Sequence, residues 1–281
     1  MAHDLIPADV RARLRGLTLV ARRAVGGHGL GLHASRSRGA GLEFAQYRAY
    51  ERGDELRQVD WKLYARSDKF FVREAERESP LALWILVDAS ASMAARMGAA
   101  KALAASLAEL AIAGGDRFGL ILLRDDGLAL VPPATGARQR DRVLLALHAL
   151  QTGGGFPAEI ALVPLWERIA QRDLVVMLSD WFDAAAVAAI GKLAAAGREV
   201  LAIQLLTADE RDFPFDGGHR FRDPETGEEL LVDAPAIRAD YLRRFGEAQD
   251  ALHAELEAGG IRHVVHVLDE PLDAPLRTLF A

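Results

Sequence analysis

Leu81-Ala82-Leu83-Trp84-Ile85-Leu86-Val87-Asp88-Ala89-Ser90-Ala91-Ser92-Met93 is an unbroken apolar run that stops at an aspartate, with two serines following at spacings of two. Seven apolar residues are too few to span a membrane and suit a strand buried on both faces. In an open parallel sheet, ligands bind beyond the carboxyl ends of the strands, which is where Asp88, Ser90 and Ser92 fall. One carboxylate and two hydroxyls on a tight loop make an oxygen nest suited to a hard divalent cation.

Downstream the chain alternates helices and strands. Residues 96–113 have strong helix propensity and end at Gly114-Gly115. Phe118–Leu123 reads as an apolar strand, with Asp125-Asp126-Gly127 turning it into an antiparallel partner at Leu128–Val131. Helices are expected at about 138–150 and 157–170, a buried strand at Leu174–Leu178, and a helix from an Asp183 cap to Ala196. A strand at Glu199–Leu206, a hairpin around Asp223-Pro224-Glu225-Thr226-Gly227, a long helix at about 235–258, a strand at 262–268 and a short helix complete the chain. Such alternation predicts an α/β fold: a Rossmann-like, mainly parallel sheet with helices on both faces.

Asp180 directly follows the strand Leu174–Leu178 and so shares an edge with Asp88. Two carboxylates at the ends of two parallel strands repel unless a cation or a proton lies between them. The Asp88-x-Ser90-x-Ser92 pattern resembles the metal-ion-dependent adhesion site of von Willebrand factor A domains. That resemblance implies a bound divalent metal, Mg²⁺ first, with Mn²⁺ or Ca²⁺ as alternatives, and a further threonine from a Gly-Gly-Thr loop. The corresponding loop reads Gln151-Thr152-Gly153-Gly154-Gly155-Phe156-Pro157, so Phe156 stands at the threonine position and Thr152 is the displaced candidate. Trp181 and Phe182, next to Asp180, are expected to form an aromatic rim for a partner.

Other chemistry is poorly supported. Without cysteine, disulfides and thiolate sites are excluded. Ser90 stands where a haloacid-dehalogenase-like enzyme would carry its acid, and no Gly-x-Ser-x-Gly elbow activates either serine. His263 and His266, three apart in a strand, face opposite sides and cannot share a metal. The glycines at 26–31 have no strand before them and no Gly-Lys-Ser/Thr after them, so they form no phosphate loop. No basic-plus-apolar leader and no run of about 18 apolar residues is found. The sequence therefore points to the cytoplasm, with no membrane partner.

Residues 1–80 carry net charge +4 and residues 81–281 carry −10. Residues 8–24 read as a basic amphipathic helix with Leu14, Leu17, Val20 and Ala21 on one face. From Phe44 to Arg66 aromatics interleave with arginines, but residues 43–78 hold 8 basic and 9 acidic side chains. That balance argues for ion-paired packing and against nucleic acid. Residues 1–80 are thus expected to be a layer on the domain at 81–281 and not an independent domain.

Tyr47-Arg48-x-Tyr50, Gly53-Asp54, Arg57, Asp60-Trp61-Lys62, Ala65-Arg66 and Glu78, running into the Asp88 loop, resemble the domain-of-unknown-function family fifty-eight, which is von Willebrand factor A-like. The Asp223–Gly227 string and Asp240-Tyr241 fit the same family. The resemblance implies a non-enzymatic adaptor or co-chaperone of a MoxR-type AAA+ ATPase, acting on a client protein. A metal-assisted hydrolase at the same edge and a metal-free scaffold are the rival readings.

Overall fold

The computed structural model describes residues 4–19, 43–50, 59–76 and 82–281. The glycine-rich stretches at 26–31 and 39–41, the end of the expected 8–24 helix, Gly53-Asp54, Arg57 and Glu78 lie outside these residues. The chain divides into two compact units, Met1–Gly26 with Leu81–Ala281, and Gly27–Pro80. The N-terminal segment thus groups with the α/β unit rather than with the aromatic-rich segment that follows it.

Helix α1 spans Ala8–Arg13 and is shorter than its periodicity predicts. Gly16 adopts φ +91°, a left-handed conformation that ends the helix. Ile6, Val10 and Leu14 are nonetheless buried in the main core.

In the Gly27–Pro80 unit, β1 (Glu43–Ala49) pairs antiparallel with β2 (Phe71–Glu76) around α2 (Trp61–Ser67). The Asp60 carboxylate caps α2, accepting from the Lys62 and Leu63 amides at 2.9 and 3.0 Å. Tyr64 stacks on Phe70 at 4.4 Å, with Trp61 edge-on to both.

The larger unit is built on β3 (Ala82–Asp88), α3 (Met97–Gly114), β4 (Arg117–Arg124), β5 (Gly127–Ala134) and α4 (Ala137–Ala149). It continues through α5 (Val163–Arg168), β6 (Leu174–Ser179), α6 (Ala184–Ala195), β7 (Glu199–Leu206) and α7 (Ala208–Asp212). A hairpin of β8 (Gly218–Arg222) and β9 (Glu229–Asp233), then α8 (Ala234–Ala258), β10 (Arg262–Val267) and α9 (Ala274–Phe280), close the chain. The expected helix over 157–170 is two pieces, a 3₁₀ turn at Glu159–Leu162 and then α5, because Pro164 can only open a helix.

Six strands order as β10-β7-β6-β3-β4-β5, all parallel except β5. Alternate residues of β3 supply two separate cores. Leu83, Ile85 and Val87 pack with α1, α3, α4 and α9, while Trp84 and Leu86 pack with α5, α6 and Leu256 of α8. The sheet is therefore covered on both faces, as the apolar run of β3 predicts. Helix α3 is long and apolar enough to cross a membrane, yet Ala100, Leu103, Ala104, Leu107, Ala108 and Ala111 are buried in this core. After β3 the chain moves to β4 on one side and returns to β6 on the other, so the β3/β6 boundary is the topological switch point.

Because Ile6 is buried with the α/β core, Ile6→Ala is expected to destabilise this unit by about 2–5 kcal/mol, read from urea unfolding. An unchanged midpoint would show that the N-terminal segment adds nothing to the core.

Candidate functional site

Asp88 and Asp180 end the two strands that flank the switch point. Asp88 closes β3, is 2% exposed, and has both oxygens occupied. Oδ1 accepts the Ser90 amide at 2.9 Å and Oδ2 accepts the Ser179 hydroxyl at 2.7 Å. Burial pushes its pKa up against these hydrogen bonds, and the charge of Asp180 adds to the rise. The Ser90 and Ser92 hydroxyls sit 3.0 Å apart, hydrogen-bonded to each other. The loop thus brings Asp88, Ser90 and Ser92 together as the spacing predicts.

Asp180 is 2% exposed as well. Its Oδ1 accepts the Phe182 amide at 3.3 Å, while Oδ2 is buried and accepts no hydrogen bond. The nearest cation is Arg96, whose Nη1 lies 3.5 Å from that oxygen. Arg96 is itself buried and heavily committed. It donates to the backbone oxygens of Leu205 and Ser92, pairs with Glu210, and lies 5.4 Å from the Phe182 ring centre. Glu210 is fixed in turn by a capping box with Thr207 at the start of α7.

Trp181 departs from the expected rim. It adopts φ +64°, which turns the ring inward, where it is 4% exposed and donates from Nε1 to the Ile203 carbonyl at 3.2 Å. Phe182 alone of the pair is exposed, at 51%. Asp183 caps α6 through the Ala185 amide, as its sequence context predicts.

The Gln151–Pro157 loop touches the Asp88 loop through backbone. The Gly153 amide donates to the Ala89 carbonyl at 3.0 Å, and the Gly154 carbonyl accepts from the Ala91 amide at 2.8 Å. Gly154 sits at φ +65°, and an added Cβ would meet the Asp125 carboxylate at 2.6 Å, so only glycine fits. Thr152 is half-buried, and its hydroxyl makes no hydrogen bond with the described residues. Phe156, at the threonine position, is a core side chain packed near Trp181.

Three participants carry no local sequence signal that names them: Ser179, Arg96 and Glu225. Ser179 is the last residue of a buried strand, and Arg96 is a lone cation ahead of an alanine-rich helix, which is the one hint in its favour. Burial, and then the charges of Asp183, Asp180 and Asp88, push up the pKa of Glu225, at the tip of the β8–β9 hairpin, against a lowering by the Ser92 hydroxyl. Among the described residues no three His, Cys, Asp or Glu side chains converge closely enough to hold a metal alone. A cation here would depend on the serine hydroxyls. The donor set fits a hard cation: it is all oxygen, one buried carboxylate oxygen is unsatisfied, and the guanidinium at the edge is already paired with Glu210.

Residues 46–251 match the model of the family described as "Protein of unknown function DUF58". The chain belongs to this family. "Uncharacterized protein Rv1480" of Mycobacterium tuberculosis is 29% identical over 251 residues, covering 85% of this chain and 79% of that protein. "Uncharacterized protein Mb1516" of Mycobacterium bovis matches to the same extent. Among solved structures, an aerotolerance-related membrane protein from Bacteroides fragilis is 16% identical, with a TM-score of 0.44 over 71% of this chain and 96% of that one. The conserved hypothetical protein BatB from Bacteroides thetaiotaomicron is 15% identical, with a TM-score of 0.38 over 64% and 98%. The SpRpn10 VWA domain is 14% identical, with a TM-score of 0.39 over 70% and 94%. The architecture that the von Willebrand factor A resemblance implies, a mainly parallel sheet covered on both faces, is present in this family member.

Behind the site, Gln204 of β7 donates to the Asp180 carbonyl at 3.0 Å and pairs with His263 Nε2 at 3.2 Å. The other side of that ring faces His253 of α8, Nδ1 to Nδ1 at 3.2 Å. Burial, and then the charge of His253, push the His263 pKa down to about 4 from 6.5. The unfolded ring therefore takes up its proton first, and the stability this residue contributes is complete above pH 6.5 and lost as pH falls towards 4. The loss is at most about 3 kcal/mol. His263→Gln should flatten the pH–stability profile in that window, and superimposable profiles would place the acid sensitivity elsewhere.

Proposed function

We propose that this chain is a non-enzymatic protein–protein interaction module whose adhesion-site-like edge holds a divalent cation, Mg²⁺ before Mn²⁺ or Ca²⁺. The observation that carries the reading is the buried Asp180 Oδ2, which accepts no hydrogen bond. An uncompensated carboxylate oxygen at that depth costs several kcal/mol unless a charge meets it. Arg96 approaches but is engaged with Glu210, so Asp88, Asp180 and Glu225 share too little positive charge. A bound divalent ion supplies that charge and leaves coordination positions open to an outside oxygen. Ser90 and Ser92 give neutral donors, Asp88 and Asp180 give charge directly or through water, and exposed Phe182 offers an apolar contact beside them.

The partner is a protein that offers an acidic side chain. Membership of the family favours a MoxR-type AAA+ ATPase, with this chain as its cytoplasmic adaptor or co-chaperone for a client. Glu225 beside Ser92 also supplies a carboxylate that the rival metal-assisted hydrolase would need. The two hydroxyls, however, bond each other and no described histidine stands beside them, which favours binding over turnover.

Ion binding to the folded state alone raises stability by mass action, about 2.7 kcal/mol at a hundred times Kd. Millimolar Mn²⁺ or Mg²⁺ is expected to raise the melting temperature of the wild type and to leave Asp88→Ala and Asp180→Ala unmoved. The same rise in all three proteins would remove the cation from this edge. Pull-down of the ATPase is expected to weaken with chelator and with either substitution.

A further inference from the structure

The Gly27–Pro80 unit gathers aromatic rings at one end of a short helix and leaves two of them in the open. Asp60 caps the start of α2, and Asp68, left-handed at φ +54°, ends it with its amide on the Tyr64 carbonyl at 2.9 Å. The chain then turns back along the helix. The Phe70 carbonyl accepts the Tyr50 amide at 3.0 Å, and the Phe71 carbonyl accepts the Asp60 amide at 2.9 Å. Held this way, Phe70 stacks on Tyr64, Trp61 stands edge-on to both, and Tyr50 lies 6.1 Å from Phe70. Rings in such an array ordinarily form a core. Here Trp61 is 56% exposed and Phe70 is 45% exposed. Exposed apolar surface inside a polar rim marks an interaction site.

The rim is cationic. Lys62, Arg66 and Lys69 are all exposed, and Asp68 is the one exposed acid among residues 59–72. Lys62 and Arg66, four apart on α2, share a face of the helix. None of the three cations forms an ion pair with a described residue. The ion-paired packing that the charge balance of 43–78 predicts therefore does not reach them. Unpaired cations around an open ring complement a ligand that brings carboxylates and an apolar side chain together. Base stacking is the other chemistry that rings and cations serve, and it needs open ring faces. Tyr64 and Phe70 lie 4.4 Å apart at an interplanar angle of 15°, so each covers a face of the other. That leaves Trp61 as a single anchor point and favours a peptide over a run of bases.

We propose that Trp61, Lys62, Arg66 and Lys69 form a docking surface for an acidic segment of a protein partner. The segment seats a large apolar side chain against Trp61 and sets its carboxylates on the three cations. The rings are fixed before the partner arrives, which lowers the ordering cost of binding. This surface belongs to a different unit from the β3/β6 edge and does not depend on a cation there.

The test uses the full chain and a labelled peptide in which glutamates flank a phenylalanine and a leucine, read by fluorescence polarisation. Oligo(dT) is the competing probe. The variants are Trp61→Ala, the double substitution Lys62→Glu with Arg66→Glu, which keeps every ring, and Arg138→Glu, an exposed cation of α4. The peptide is expected to bind the wild type and Arg138→Glu alike, and to bind the other two at least tenfold more weakly. Added salt should weaken binding, whereas chelator and Asp88→Ala should leave it unchanged, which separates this surface from the cation edge. Equal binding to all the proteins, or no binding to the wild type, would overturn the proposal. So would oligo(dT) binding in the peptide's place with the same loss in the double variant, which would make the surface a nucleic-acid site.

Discussion

Two carboxylates, Asp88 and Asp180, are held almost out of water at the carboxyl ends of neighbouring parallel strands, and most of the polar architecture at that edge exists to tolerate them. Burying a charge costs several kcal/mol after relaxation, so each oxygen needs a donor or a counter-charge. Asp88 obtains its donors locally, from the Ser90 amide and the Ser179 hydroxyl. Asp180 obtains less: one amide, a guanidinium at 3.5 Å, and nothing hydrogen-bonded to Oδ2. The asymmetry leaves Asp180 Oδ2 as the buried carboxylate oxygen at this edge that accepts no hydrogen bond.

The fold creates this situation and also limits its extent. β3 is buried on both faces because α1, α3, α4 and α9 cover one side and α5, α6 and α8 the other. Such a strand can change from apolar to polar only at its ends. The switch point between β3 and β6 then gathers loops from distant parts of the chain. The 151–157 loop arrives through backbone bonds to Ala89 and Ala91, and α7 brings Glu210 to Arg96.

The features legible in the sequence are those written in short-range pattern. The apolar run of β3, its terminal aspartate, the alanine-rich α3 and the Asp183 cap each depend on neighbours within one element, and each is where the pattern places it. The placement of Asp180 followed from the buried strand before it. Trp181 was not legible, because its inward turn depends on a positive φ that no propensity assigns to tryptophan. Gly16 and Pro164 shorten helices whose periodicity runs past them. Arg96 and Glu225 act through contacts made 84 or more residues away in the chain in one case (Asp180) and more than 100 in the other (Ser92), a distance that local spacing does not encode. Thr152 is the one threonine of the 151–157 loop, displaced from the threonine position, and its hydroxyl meets no described partner.

The most direct measurement of the central claim is anomalous diffraction from crystals soaked in Mn²⁺ and recorded at the manganese absorption edge. A single strong peak is expected at the β3/β6 edge, bounded by the Ser90 and Ser92 hydroxyls and the Asp88 and Asp180 carboxylates. An edge without a peak, with Arg96 moved into direct hydrogen bonding to Asp180 Oδ2, would contradict it and make the arginine the site's only cation.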